Sequence, residues 1–201
     1  MTDLNQLRRE IRKQRRSVSL FQQKQAEFKV LQQLIKNPHF KHSKKIGLYL
    51  HAFGEIQTTR IIQYCFAHAK QVYLPMICNM NQRLVWIKIS AQQYNNQRFS
   101  HHSLGMKEPM ASRGVHVSHL DFLIMPLLAC DVYGTRLGMG GGFYDRTLAS
   151  APLKPIRVGL AHDFQLLEQK LNRRLWDQTL DQLISPKQSY KFNRNFNKNL
   201  I

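Results

Sequence analysis

The residues best suited to chemistry lie between Arg136 and Arg146, in a stretch that reads RLGMGGGFYDR. Four glycines fall within positions 138–142, and a tyrosine, an aspartate and an arginine follow closely. Because glycine allows backbone conformations closed to other residues, such a loop can turn successive N–H groups toward one anion-binding concavity. The competing interpretation is a tight surface turn. The charged residues on both sides of the glycines favour the binding site.

These flanking charges indicate which anion would bind. Arg136 and Arg146 can each hold a phosphate through two parallel N–H bonds. Asp145 would repel a bare phosphate, but it fits a site in which Mg²⁺ lies between carboxylate and phosphate oxygens. The spacing matches neither the P-loop nor the dinucleotide-binding fingerprint. The stretch therefore predicts a phosphate site with Mg²⁺ outside those two motifs.

The whole chain is strongly basic, with 30 Lys and Arg against 12 Asp and Glu in 201 residues and a formal net charge of +18. The excess is general and is densest in the first predicted helix. Three interpretations stay open: non-specific binding of nucleic acid through its phosphates, attraction of small polyanions such as nucleotides or polyglutamates, and a solvated surface with no single partner.

The cysteines and the apolar segments indicate a cytoplasmic protein. Cys65, Cys78 and Cys130 are scattered, with no Cys-x-x-Cys spacing, which argues against a disulfide framework or a zinc site. No apolar run approaches the ~20 residues that span a bilayer. The basic N-terminus lacks the apolar stretch of a signal peptide. We therefore expect no membrane partner.

Predicted strands alternate with predicted helices, which indicates a layered α/β fold. A basic amphipathic helix opens the chain, Ser19 and Gln22 form the capping box of a second helix, and Thr58 is expected to cap a third. Another helix begins at Phe143. Strands are expected at 45–50, 72–75, 83–89, 121–126 (directly before the glycine loop) and 156–161. We predict one three-layer α/β/α domain over residues 1–201, with a mostly parallel sheet, a basic N-terminal helix pair and a poorly ordered tail from about 187.

The glycine stretch closely resembles the signature of the 5-formyltetrahydrofolate cyclo-ligase family, also called 5,10-methenyltetrahydrofolate synthetases. The resemblance extends over nearly the whole chain. It is carried by further segments in the family's order: LRREIRKQRRSVS (7–19), IGLYLHAFGEIQT (46–58), GMKEP (105–109), DFLIMPLLACDVYGTRLG (121–138), VGLAHDFQ (158–165) and WDQTLDQLIS (176–185).

The resemblance implies an enzyme that uses ATP and Mg²⁺ to convert 5-formyltetrahydrofolate, with or without a polyglutamate tail, into 5,10-methenyltetrahydrofolate. It implies a monomer whose main partners are these small molecules rather than nucleic acid. By residue match, ATP would be contacted by Leu4, Arg8, Arg136, Leu137, Gly138, Met139, Gly140, Gly141, Gly142, Phe143 and Tyr144. Folate would be contacted by Leu50, Glu55, Met139, Gly140, Gly141, Gly142 and Phe143.

The same match implies that Arg136 and Asp145 take part in catalysis and that Asp145 and Asp181 bind Mg²⁺. Spacing alone would make Asp181 an ordinary acid at a strand end, with Asp177 as its competitor. Leu4 stands where the family commonly carries a lysine that reaches ATP, and Phe143 where tyrosine is frequent. Neither departure indicates a dead enzyme.

Two rival functions stay open. A basic nucleic-acid-binding protein would explain the net charge but would leave the glycine motif without a role, and no RNA-binding aromatic motif or zinc-finger spacing is present. A related ATP-using enzyme acting on another formyl or carboxyl substrate is compatible with the same motif. Trp86 and Trp176 are interpreted as packing residues. The histidines at 101, 102, 116 and 119 are interpreted as exposed side chains rather than as a metal site.

Overall fold

The computed structural model describes residues 3–102, 105–111 and 113–194. Its α-helices are α1 (Leu4–Ser17), α2 (Leu20–Lys36), α3 (Pro38–His42), α4 (Thr59–Ala67), α5 (Ala91–Asn95) and α6 (Phe143–Ala149). Its strands are β1 (Lys45–Gly47), β2 (Gln71–Cys78), β3 (Arg83–Ile89), β4 (Phe99–His101), β5 (Lys107–Pro109), β6 (Phe122–Met125), β7 (Ala129–Asp131), β8 (Arg136–Leu137), β9 (Ile156–Leu160), β10 (Leu166–Leu167), β11 (Gln182–Ile184) and β12 (Ser189–Lys191).

The main sheet has seven strands in the order β12-β11-β9-β6-β1-β2-β3. The neighbours from β11 through β2 are parallel, and the edge strands β12 and β3 run antiparallel to theirs. Strand β1 pairs with β2 on one side and β6 on the other, so the chain changes direction across the sheet at this point. Open parallel sheets bind ligands beyond the carboxyl ends of the strands at such a reversal.

Helices cover both faces of the main sheet, and each face buries its own core. On one face, Leu34 of α2, Phe40 of α3 and Ile62 of α4 pack against alternate strand residues. On the other face, Leu148 of α6 packs with Leu123 of β6. The predicted three-layer α/β/α arrangement with a mostly parallel sheet is confirmed.

Helix α1 packs on a separate three-stranded sheet, ordered β10-β7-β8, and not on the main sheet. Its apolar side, including Ile11, contacts Leu128 and Leu137. The two N-terminal helices therefore serve different cores, since α2 belongs to the main sheet. The hairpin of β7 and β8 also lies between β6 and the glycine loop. The expectation that strand 121–126 leads directly into that loop was wrong.

Most local predictions match the described elements. Ser19 and Gln22 form the capping box of α2, and the third strand and the helix at Phe143 have the expected bounds. Thr58 does not cap α4 through its side chain. Its hydroxyl donates instead to the carbonyl of Tyr49, at 2.8 Å. This bond joins the two ends of the loop between β1 and α4.

The end of the chain differs from the expectation of a poorly ordered tail from residue 187. Strand β12 pairs antiparallel with β11, and the described chain continues to Arg194. Only residues 195–201 of the predicted tail lie outside the described residues. Within the residues that the structure describes, each helix is too short or too polar to cross a bilayer.

Candidate active site

A cleft of about 950 Å³ opens where α1, the loop after β1 and the glycine loop meet. This place lies beyond the carboxyl ends of β1 and β6, where the order of strands reverses. The cleft is lined by every residue implied for ATP or folate: Leu4, Arg8, Leu50, Glu55, Arg136, Leu137, Gly138, Met139, Gly140, Gly141, Gly142, Phe143 and Tyr144. Asp145 also lines it, whereas Asp181 does not.

The glycine loop has the backbone conformation that its sequence indicated. Gly140 has φ +108° and Gly142 has φ +65°, both in the region that side chains disfavour. Apart from Gly140 and its two neighbours in the chain, no atom of the described residues lies within 4 Å of the point that a Cβ of Gly140 would occupy. The positive φ, rather than tight packing around the residue, therefore explains glycine at position 140.

Arg136 lies beneath this loop and is paired with Asp145. One guanidinium nitrogen of Arg136 donates to both carboxylate oxygens of Asp145, at 3.1 and 2.9 Å. The guanidinium also lies 5.5 Å from the ring centre of Tyr144. A Cβ at Gly138 would approach Nη1 of Arg136 to 2.7 Å, so the glycine leaves room for the guanidinium.

The two acids implied as magnesium ligands are linked indirectly. The backbone N–H of Gln178 donates to Asp145, and its side-chain oxygen accepts from Arg157 at 3.0 Å. The backbone N–H of Arg157 donates to Asp181, whose other oxygen lies 3.1 Å from Nε of Arg194. Asp181 therefore has protein partners on both oxygens and does not line the cleft.

Asp145 fits a cation that also binds phosphate. Its side chain is 19% exposed and borders the cleft, so a cation could reach it once Arg136 turns to a phosphate. Within the described residues, no three His, Cys, Asp or Glu side chains form a group able to hold a metal. Mg²⁺ is commonly held by one or two carboxylates together with phosphate oxygens and water, which suits this sparse set.

Helix α1 holds the glycine loop from its other side. Nε of Arg8 donates to the carbonyl of Gly138 at 3.2 Å, and Arg12 donates to the carbonyl of Met139 at 3.4 Å. The sequence implied Arg8 as a nucleotide contact, and the structure places its guanidinium on the loop that would hold the nucleotide. The two arginines thus tie the glycine loop to α1 through its carbonyl oxygens.

Glu55 lines the cleft from the loop after β1. The hydroxyl of Tyr49 donates to the carbonyl of Ile56 and helps to fix this loop. One oxygen of Glu55 accepts from the N–H of Ala52 at 3.0 Å, and the other lies 3.6 Å from Arg15. Burial raises the pKa of Glu55 to about 6, against the opposite effect of Arg15.

Several residues of the cleft were missed or misinterpreted from sequence. Trp176 was interpreted as a packing residue, but its side chain is 61% exposed at the rim, with Arg174 above its ring. Arg15 was missed because its contact with Glu55 depends on how α1 docks, which no local sequence pattern shows.

Cationic residues outnumber acidic ones along the lining, which suits two polyanionic ligands. The cationic set is Arg8, Arg12, Arg83, Lys107, Arg136, Arg146 and Arg174, and the acidic set is Glu55, Glu108, Asp145 and Asp177.

Comparisons with known proteins show which family the chain resembles. The profile of the 5-formyltetrahydrofolate cyclo-ligase family matches residues 1–186. A 5-formyltetrahydrofolate cyclo-ligase of Haemophilus influenzae is 37% identical over 175 residues, covering 86% of this chain and 91% of that protein. One from Escherichia coli is 32% identical over 187 residues, covering 90% of this chain and 100% of that protein. The structure resembles Aquifex aeolicus 5,10-methenyltetrahydrofolate synthetase with a TM-score of 0.80 and 28% identity, covering 98% and 97% of the two chains.

Proposed function

The chain belongs to the 5-formyltetrahydrofolate cyclo-ligase family, and from this premise we propose that it converts 5-formyltetrahydrofolate to 5,10-methenyltetrahydrofolate at the expense of ATP, with Mg²⁺. Membership makes the protein a cyclo-ligase. The nucleotide, the metal and the residues that serve them are the parts that we propose. The observation that carries them is the single cleft that all the residues implied for ATP and folate line.

The chemistry follows from the weak reactivity of the substrate. The N5-formyl group is an amide, so its carbon is a poor electrophile. In the proposed first step the formyl oxygen forms a bond to the γ-phosphorus of ATP, and ADP leaves. In the second step N10 attacks the activated carbon, a five-membered ring closes, N10 loses its proton, and phosphate departs with the former formyl oxygen. Each turnover thus gives one methenyl product, one ADP and one phosphate.

The glycine loop and Arg136 are proposed to align the phosphates. Phosphoryl transfer needs mainly positioning and charge neutralisation from a protein. The positive φ angles of Gly140 and Gly142 support backbone N–H groups turned toward the cleft. Arg136 would release Asp145 and bind phosphate oxygens instead, because its planar guanidinium can bind two of them at once. Arg8 and Arg12 would keep the loop in place through its carbonyls.

Asp145 is proposed to hold the Mg²⁺ of the nucleotide, which when bound offsets phosphate charge. Its place at the cleft and its freedom to exchange Arg136 support this role. For Asp181 the support is the residue match alone, because its carboxylate is engaged by Arg157 and Arg194. We keep it as a weaker proposal that can be tested separately.

Glu55 is proposed to recognise the pterin. A carboxylate can accept from the ring N–H and the 2-amino group, which are two donors side by side. Its exposure to the cleft and its anchoring by Ala52 support this role. Leu50 would offer apolar contact beside it. The segment from Met139 to Phe143 would border both ligands, since the formyl oxygen and the γ-phosphate must meet.

The proposal is tested by mixing the protein with 5-formyltetrahydrofolate, ATP and Mg²⁺ and following the absorbance of the methenyl product. We expect product only when ATP and Mg²⁺ are both present, with about one ADP per product as the balance of the reaction requires. Product formed without nucleotide would overturn the phosphorylation step. A formyl donor without N10 should give ADP without ring closure, which separates the two steps.

A further inference from the structure

Arg15 of α1 is a cation buried directly behind Glu55. Its side chain is 1% exposed, and its Nη1 lies 3.6 Å from an oxygen of Glu55. The same nitrogen donates to the carbonyl of Leu127 at 3.3 Å. Its Nε and Nη2 are buried without a hydrogen-bond partner among the described residues. Arg15 is therefore poorly satisfied for a charge so far from solvent.

Such an arrangement is a poor way to stabilise a fold. A buried guanidinium needs most of its donors satisfied to offset desolvation, and apolar residues of similar size often serve packing better. Burial lowers the pKa of Arg15, and the main opposing effect is the charge of Glu55. The protein nevertheless keeps a buried cation with two unsatisfied nitrogens here, next to Glu55. The ion pair with Glu55 therefore indicates a role beyond packing.

We propose that Arg15 is a positioning residue for the folate substrate, which keeps Glu55 ionised and fixes its carboxylate at the side of the cleft where the pterin binds. This inference rests on the proposed function of Glu55. Arg15 does not touch substrate. It acts only through the carboxylate in front of it.

The other groups around Glu55 cannot replace this charge. Tyr49 is buried and Tyr144 is partly buried, and burial together with the charge of Glu55 raises the pKa of both, so they stay neutral. His162 contacts the carbonyl of Gly54 at 3.2 Å, and burial lowers its pKa, so it too is neutral near pH 7. Arg12 lies beside Arg15 but binds the glycine loop.

The backbone fixes Arg15 against the loop that carries Glu55. Gly54 has φ +74°, and a Cβ there would lie 2.5 Å from the carbonyl oxygen of Arg15. The helix and the loop thus meet backbone to backbone. Because the same helix holds the glycine loop through Arg8 and Arg12, it sets Glu55 at a defined position relative to the proposed phosphate site.

The first measurement follows the carboxyl carbon of Glu55 by NMR while pH is varied, with no ligand added. Arg15→Met keeps a long side chain and removes the charge, and Arg15→Lys keeps the charge. An opposite charge at this distance shifts a carboxyl pKa by about 1–3 units, so we expect an upward shift of that size in Arg15→Met and a value near wild type in Arg15→Lys. A Glu55 titration that is unchanged in Arg15→Met would overturn the proposal. If that variant does not fold, Arg15→Lys still decides, because a lysine that restores neither the Glu55 pKa nor folate binding contradicts the role of the charge.

The second measurement compares KM for 5-formyltetrahydrofolate and for ATP between about pH 5.5 and 8.5. Loss of ionised Glu55 should raise the folate KM of Arg15→Met near pH 7 by about twofold for a pKa shift of one unit and by about tenfold for a shift of two, and recovery is expected at higher pH. The ATP KM should change little. A merely structural role predicts a lower melting temperature with no change in the pH profile.

Glu55→Gln separates this inference from the proposed function beneath it. If the Glu55 pKa moves in Arg15→Met while the folate KM stays at the wild-type value, the positioning role is wrong. A wild-type folate KM in Glu55→Gln as well would show that Glu55 itself does not recognise folate. In the Glu55→Gln background, Arg15→Met should add no further pH dependence.

Discussion

Arg136 and Asp145 hold each other beside the glycine loop, since one nitrogen of Arg136 lies 3.1 and 2.9 Å from the two oxygens of Asp145. The proposed function assigns these two residues to opposite partners, a phosphate and a cation. The side chains are 4% and 19% exposed, so neither is well solvated alone. The pair therefore gives each charge a partner when no ligand is bound. In the proposed function, phosphate replaces Asp145 at Arg136, and Mg²⁺ replaces Arg136 at Asp145.

Asp145→Asn should remove the proposed cation site and leave the fold intact. Asparagine keeps the size and one acceptor but loses the charge, so we expect turnover to fall by about 100-fold or more, with a higher requirement for Mg²⁺. The measurement is the initial rate against Mg²⁺ concentration, with a melting curve. Glu108→Gln is the matched control, because Glu108 also lines the cleft and has no proposed metal role. Wild-type turnover and Mg²⁺ dependence in Asp145→Asn would exclude it as a ligand.

Asp181→Asn tests the weaker metal assignment. We expect a smaller loss of turnover than for Asp145→Asn. We also expect a stability loss of about 1–3 kcal/mol, because the carboxylate accepts from the N–H of Arg157 and pairs with Arg194. Urea denaturation gives the stability, and rates at saturating and limiting Mg²⁺ give the metal effect. A stability loss with an unaltered Mg²⁺ requirement would assign Asp181 to the fold alone.

Gly140→Ala should weaken ATP binding more than it weakens the fold. Beyond the two adjacent residues, the added methyl group meets no atom of the described residues, so the loss of stability comes from the φ of +108° and should be about 1 kcal/mol or somewhat more. ATP affinity, measured by calorimetry, should fall by about tenfold or more because the methyl group enters the phosphate side of the loop. A melting curve of Gly140→Ala separates backbone strain from the loss of ATP affinity. Equal ATP affinity in wild type and Gly140→Ala would refute the phosphate cradle.

The raised pKa of Glu55 predicts opposite effects of pH on stability and on folate binding. Its folded-state pKa, about 6, exceeds its ordinary value of 4.5. The protonated form thus favours folding below pH 4.5, and this contribution is lost as pH rises through about 6. Folate binding needs the carboxylate and should strengthen over the same range. Glu55→Gln should abolish this step in the pH profile of folate KM; a step that persists would point to another group.

Substituting the exposed basic residues of α1 tests nucleic-acid binding independently of catalysis. Arg9, Lys13 and Arg16 are exposed, whereas Arg8, Arg12 and Arg15 on the same helix contact the two loops of the cleft. Replacing the exposed three by glutamate should leave turnover within about twofold, because surface charges remote from the site act weakly. Binding of a short duplex at fixed salt should fall if a polyanion uses this face. A large loss of turnover in this variant would contradict the division of the helix.

The sequence predicted the parts of the fold that depend on local chemistry. The capping box at Ser19 and the apolar third strand were correct because side-chain pattern and hydrogen-bonding residues determine them directly. The β7–β8 hairpin was missed because strands of two or three residues carry almost no periodicity. It lies where the apolar strand was expected to enter the glycine loop.

The candidate site was predicted unevenly for a similar reason. The residues between 136 and 145 form a contiguous motif, so their meeting at one cleft needed little knowledge of the fold. The contact of Arg15 with Glu55 joins residues 40 positions apart and depends on the docking of α1, which no local pattern encodes. Trp176 was misinterpreted because the sequence around an aromatic residue does not show whether its side chain is buried or exposed.

The packing of α1 on β7, β8 and β10 has a consequence for the order in which the protein is assembled. Ribosomes deliver this helix before the segments on which it packs, because its apolar contacts extend to Leu171 and Arg8 bonds to a carbonyl 130 positions away. Contacts of such separation form late, because the intervening chain must be made and ordered before they can close. Helix α1 thus docks late although it is made early, and the cleft exists only after the chain up to Asp177 has emerged.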